Sequence, residues 1–266
     1  MSLARPAAVA VSLGVTISAL LGCATAPETG RSQVLLVSTA EEARLGLKTF
    51  EELKRKKPQV RSGKDWEMLQ GVGRRIAAVT RLPHARWEFV LFEDDANANA
   101  FALPGGKVGI YTGILPITRN EAGLATVIGH EVAHAVARHG AERLSQSMLI
   151  QLGGTALSAA LGSSSPVTRD LALQAYGLGT TLGVAMPYSR TQELEADRLG
   201  LLYMARAGYD PRQAVQFWRR FAEYSRKRGG APPEFLSTHP LDQRRISALE
   251  AQLPRAMAEY QRVKRG

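Results

Sequence analysis

Five consecutive residues constrain this chain more than any others: His130-Glu131-Val132-Ala133-His134. Positions four apart share one face of an α-helix, so the two imidazoles can meet a single metal ion. Glu131, next to the first of them, can reach a water on that ion. Chance would place such a pentapeptide in a chain of this composition roughly 0.006 times. The flanks support a helix: Thr118 and Glu121 have the spacing of a capping box, and apolar Leu124, Val127 and Ile128 follow. With one Cys in 266 residues, an intramolecular disulfide and a Cys-rich zinc site are both excluded. A metal centre must be built from His and carboxylates.

Two imidazoles do not complete a catalytic zinc site, which generally takes three protein ligands and keeps one position open. The richest source of a third is Ser189-Arg-Thr-Gln-Glu193-Leu-Glu195-Ala-Asp197. Glu193 and Asp197 are one helical turn apart on one face, and Glu195 points about 200° away. One of the two carboxylates can bind zinc while the other hydrogen-bonds a ligand imidazole. The spacing does not say which does which. One Zn2+ per chain is expected.

The N-terminus has the pattern of an export signal. Arg5 precedes an apolar run from Ala7 to Leu21, too short for a comfortable bilayer span. It ends in Leu20-Leu21-Gly22-Cys23, which resembles a bacterial lipobox and places the only Cys where lipidation needs it. The expected organisation is a signal peptide over 1–22, a lipidated Cys23 with a tether over 23–38, and one domain over 39–266. A membrane partner is therefore expected through the lipid. Ala24 rather than Asp after the Cys fits the lipoprotein pattern for the outer membrane, with the domain in the periplasm.

Along the body, helices are predicted over 39–57 and 65–80, and a strand over 87–92. Further strands are expected near 97–102 and 108–111, about the Pro104-Gly105-Gly106 turn. Helices follow from Thr118, after Glu193, after Asp210-Pro211, and from Asp242 with an interruption at Pro254. The fold class is thus α+β, mostly helical, with a small three-stranded sheet. A strand along the metal cleft could offer its free edge to an extended peptide, with Asn97, Asn99 and Phe101 on that edge. A plain hairpin is the alternative. The excess of 34 Lys+Arg over 24 Asp+Glu lies in short runs such as Lys54–Lys57 and Arg226–Arg228. These suit solvated helix faces, and no nucleic-acid partner is expected.

His130-Glu131-x-x-His134 followed by Ser189-Arg190-x-x-Glu193-x-x-Ala196-Asp197 is similar to the HtpX and CAAX-prenyl-endopeptidase family of zinc metallopeptidases. Asn99–Gly106 and Ser237-Thr-His-Pro240 resemble its exported, LoiP- and BepA-like lipoprotein branch. The resemblance runs from about Gly30 to Leu249 and implies a zincin-like domain of the gluzincin kind. It makes Glu193 the third zinc ligand, Asp197 the partner of a ligand imidazole, and Glu131 the catalytic base. It brings His239 to the zinc as a resting fourth ligand or a transition-state donor; a local loop contact is the alternative. His139 is expected at the end of the active-site helix, off the ligand face, and His84 in a loop. The implied function is a zinc endopeptidase in periplasmic or outer-membrane protein quality control, acting on misfolded envelope proteins. One rival is a chaperone-like lipoprotein with a structural or locked zinc. Another is an integral membrane protease in which uncharged stretches of residues 144–189 span the bilayer.

Overall fold

The computed structural model describes residues 23–82, 84–162, 165 and 188–265. The expected signal segment and most of the 161–187 stretch lie outside them. A strand ribbon, β1 (Cys23–Thr25) with β2 (Ser32–Val34), leads into α1 (Thr39–Lys56). Ser38 starts α1 by accepting a hydrogen bond from Glu41 N. Glu41 and Glu42 in the first turn and Lys54, Arg55 and Lys56 in the last suit the helix dipole.

The sheet has four strands in the order β3-β4-β6-β5: β3 (Gln59–Val60), β4 (Glu88–Phe92), β5 (Ala100–Leu103) and β6 (Lys107–Tyr111). The fourth, β3, escapes sequence reading because two residues carry no alternation. β4 runs parallel to β6, and β3 and β5 pair antiparallel with their neighbours. The pleat divides the core. Phe89, Leu91, Val108 and Ile110 face α2 (Lys64–Val79) and the helix bearing His130; Val90, Phe92 and Tyr111 face Phe50 of α1. Burying each of these large side chains contributes about 1.5–3 kcal/mol.

A short helix α3 (Leu115–Thr118) precedes α4 (Glu121–Val136). The cap of α4 is Asn120, whose Oδ1 accepts from Gly123 N, and not the expected Thr118 box. Thr118 closes α3 instead, because Arg119 takes a left-handed φ of 67° and breaks the run. The helices α5 (His139–Ala160), α6 (Arg190–Arg206), α7 (Arg212–Arg228), α8 (Glu234–Thr238) and α9 (Gln243–Arg265) complete the described fold. Pro254 does not interrupt α9; it lies on the exposed side of the helix, where its ring meets no packed neighbour. No helix among the described residues is long and apolar enough to cross a membrane.

The crossing of α4 with α6 positions the site. A Cβ added at Gly200 would lie 2.8 Å from Gly129 C and from His130 N, so the two backbones meet at paired glycines. Nothing larger fits there without moving the helices apart. Gly200→Ala should destabilise the protein by about 1–3 kcal/mol. It should also weaken metal binding, because α6 would carry Glu193 away from α4. Thermal unfolding and a chelator-competition titration check both effects.

The segment over 24–38, expected as a tether, is packed. Leu35 and Val37 bury against Ala141, and Leu36 N donates to Ser145 Oγ. Pro27 and Gly30 shape a tight ribbon in place of a loose linker. Gly30 takes φ 71°, and its N donates to Ala26 O.

Candidate metal centre

His130, Glu131 and His134 sit mid-way to late in α4, where every residue from Gly123 to His134 is buried. Glu193 enters from the first turn of α6. That helix starts with a capping box: Ser189 Oγ accepts from Gln192 N, and Gln192 Oε1 accepts from Ser189 N. The box turns Glu193 inward at the positive end of the helix dipole. His239 arrives from the end of α8, its N–H bonded to Phe235 O.

Ligand atoms of His130, His134, Glu193 and His239 all lie within 4.8 Å of one another. His130 Nε2 is 3.2 Å from both His134 Nε2 and His239 Nδ1. Glu193 Oε1 is 3.3 Å from His134 Nε2 and 2.9 Å from His239 Nδ1, and Glu193 Oε2 is 3.5 Å from His130 Nε2. Tetrahedral zinc with bonds of about 2.0–2.1 Å sets its ligand atoms about 3.3 Å apart. The donor set and its spacing therefore fit zinc. Glu131 stands beside the cluster, its Oε1 buried without a hydrogen-bond partner and 3.3 Å from His239 Nε2.

Each α4 imidazole is backed from behind. His130 Nδ1 is 3.0 Å from Asp197 Oδ1. Asp197 is gripped in turn by Arg245, with Nε and Nη2 each 2.8 Å from its two oxygens, and Arg245 Nη1 is 2.6 Å from Glu193 Oε2. Arg245 is itself 1% exposed and lies against the Trp218 ring. His134 Nδ1 is 2.9 Å from His139 Nδ1, and His139 Nε2 is 3.0 Å from Glu195 Oε2. The expectation for His139 is corrected here. Arg138 adopts a left-handed φ of 60°, held by Glu42 and by Val37 O, so α4 stops and His139 opens α5. The turn brings its ring back to His134. Glu195 does face away from Glu193 and meets Thr29, Arg31 and His139.

Burial pushes the Glu131 carboxyl up, and the nearby imidazoles pull the other way. Burial also drives His134 well down, so its ring is neutral. For His130, burial works downward but hydrogen bonds to Asp197 and Glu193 win and raise it to about 9. Without metal, His130 is thus protonated at neutral pH, and binding must displace that proton. One proton should be released per ion at pH 7. Affinity should rise about tenfold per pH unit up to about 9 and then level off. Calorimetric titration in two buffers of different ionisation enthalpy reads the proton count.

The expected substrate edge is partly relocated. β5 is the edge strand beyond β6, and Ala100 and Ala102 face α4. Phe101 is in β5 but turns toward Phe50 on the other face. Asn97 and Asn99 lie in the irregular segment before the strand: Asn97 Nδ2 is tied to Glu234 Oε2, and Asn99 O still accepts from Tyr111 N of β6. His84 is exposed in its loop. Arg245 and Tyr188, stacked on His239 at 5.1 Å between ring centres, were not anticipated from sequence.

The peptidase family M48 model matches residues 64–253. The mitochondrial metalloendopeptidase OMA1 of Saccharomyces cerevisiae is 39% identical over 180 residues, covering 66% of this chain and 50% of the relative. The beta-barrel assembly-enhancing protease of Escherichia coli is 28% identical over 226 residues, covering 84% and 46%. A putative protease of the same description from Vibrio cholerae is 33% identical over 187 residues, covering 68% and 37%. The chain spans about half the length of such relatives or less.

Proposed function

The chain belongs to peptidase family M48, which makes it a metallopeptidase, and from that premise we propose a zinc-dependent endopeptidase of the bacterial envelope. The observation that carries the zinc is the tetrahedral spacing of His130 Nε2, His134 Nε2 and the Glu193 carboxylate. Zinc held there supplies Lewis acidity toward a peptide carbonyl and acidifies water. Glu131, buried and unpartnered at Oε1, takes the proton of the attacking water and passes it to the leaving amine. Asp197 orients His130. The β5 edge, one small-residue face toward α4, holds an extended peptide through main-chain hydrogen bonds.

The envelope reading is supported by the lipobox-like Leu20–Cys23 and by the E. coli relative's name. The OMA1 relatives are named mitochondrial, so the compartment rests chiefly on Cys23. The substrates we propose are misfolded envelope polypeptides, a reading supported by the E. coli relative's name. Lipidation at Cys23 is tested by metabolic labelling with a radioactive fatty acid: label in the wild type and none in Cys23→Ser is expected.

A second reading has an observation of its own. His239 Nδ1 stands at the fourth vertex of the cluster, where a substrate-ready site would hold water. A permanently closed centre would make the protein a chaperone-like binder. The purified full chain, loaded with zinc, is expected to degrade casein and to stop with chelator. Protection of unfolded clients with no turnover, in the wild type and in His239→Ala, would favour the binder instead.

A further inference from the structure

We propose that His139 is a positioning residue for the metal centre, and that the N-terminal ribbon forms the outer end of its support through Thr29 and Arg31. The inference rests on the zinc reading above. To bind a metal, His134 must present the Nε2 lone pair and therefore carry its proton on Nδ1. That buried N–H needs an acceptor, and His139 Nδ1 stands 2.9 Å away. A neutral imidazole accepts at Nδ1 only if its proton is on Nε2. His139 Nε2 faces Glu195 Oε2 at 3.0 Å, and a carboxylate can only accept. The protons thus order in one sense along Glu195, His139 and His134, leaving a lone pair at the metal vertex.

Glu195 is fixed in turn from the ribbon. Thr29 Oγ donates to Oε1, and Arg31 Nε lies 2.6 Å from Oε2. The Arg31 guanidinium also forms a two-pronged pair with Glu142 at 2.8 and 2.7 Å, and Gln192 Nε2 donates to Glu142 Oε2 at 2.8 Å. His139 is fully buried, so solvent cannot take the place of His134 or Glu195 as its partner. The segment expected to be a loose tether is instead three contacts from the His134 imidazole.

The test uses the full chain and reads zinc affinity by chelator competition, with unfolding curves to confirm the fold. His139→Phe fills the space without an acceptor. His139→Gln reaches Glu195 but leaves His134 Nδ1 alone. His139→Asn places an amide oxygen near the lost Nδ1 and keeps the acceptor. Phe and Gln are expected to weaken zinc binding by about 10–100-fold, and Asn to recover most of it. Packing alone would rank the larger Gln at or above Asn. Either that order or Phe within about twofold of wild type would overturn the proposal. Should no His139 variant fold, Glu195→Leu, which offers His139 Nε2–H no acceptor, decides: a folded protein with weaker zinc binding supports the relay, and unchanged binding overturns it. Arg31→Met should weaken binding in the wild-type background and add nothing in His139→Phe; additive losses would detach the ribbon from the relay. A wild type that takes up no zinc would instead defeat the metallopeptidase reading itself.

Discussion

Glu131→Gln is expected to bind zinc one to one, with affinity near that of the wild type, while peptide hydrolysis falls by about 10²–10⁴-fold. The loss corresponds to about 3–5 kcal/mol of barrier. The atoms spaced for the metal belong to His130, His134, Glu193 and His239, and Glu131 is outside that set. Gln conserves volume in a fully buried position on α4, so packing against β5 is undisturbed. What disappears is a group able to accept a proton. Steady-state cleavage of a fluorogenic peptide, with zinc measured on the same sample, reads the two quantities together. Hydrolysis at the wild-type rate would remove Glu131 from the mechanism.

Arg245→Ala carries the largest expected cost to stability. Its guanidinium is fully buried and is shared between Asp197 and Glu193, which are themselves nearly inaccessible. Removing one cation leaves two buried carboxylates short of compensation, a change worth about 3–5 kcal/mol. For a domain of this size that is roughly a 6–20 °C fall in Tm. Bound zinc supplies positive charge beside Glu193, so the fall should be greater in chelator than with zinc present. The sign for pH follows from Asp197, which burial pushes up but Arg245 and His130 hold below the usual carboxylate range. A depressed carboxyl stabilises the fold above its unfolded value, and that stability is lost as pH falls through the folded value. The variant should lose part of this acid sensitivity. Calorimetry with and without zinc tests the prediction, and equal Tm losses in both conditions would contradict it.

What could be seen in the sequence was what local periodicity encodes. The His130–His134 spacing determines a shared helix face, and Glu193 with Asp197 share another, so four residues of the centre were legible before any coordinates. The spacing admits either carboxylate as a ligand, and only the resemblance singles out Glu193. A constant angle per residue along α4 puts His139 off the ligand face. The chain breaks at Arg138, where a non-glycine residue takes a left-handed conformation supported by Glu42 and Val37, both distant in sequence. Arg245 gave no local signal: it is 48 residues from Asp197, and an Arg in a polar helix usually points to water. The ribbon has no local signature, since Pro27 and Gly30 mark turns equally well in tight and loose segments. Its docking depends on Arg31 meeting Glu142 and Glu195, pairings that only tertiary structure creates.

Diffraction at the zinc absorption edge, on crystals grown with one equivalent of zinc, tests the central claim most directly. The account predicts one anomalous peak, bonded at about 2.0–2.2 Å to His130 Nε2, His134 Nε2 and a Glu193 oxygen. A peak elsewhere on the chain, or a zinc at these histidines with the Glu193 carboxylate turned away from it, would contradict it.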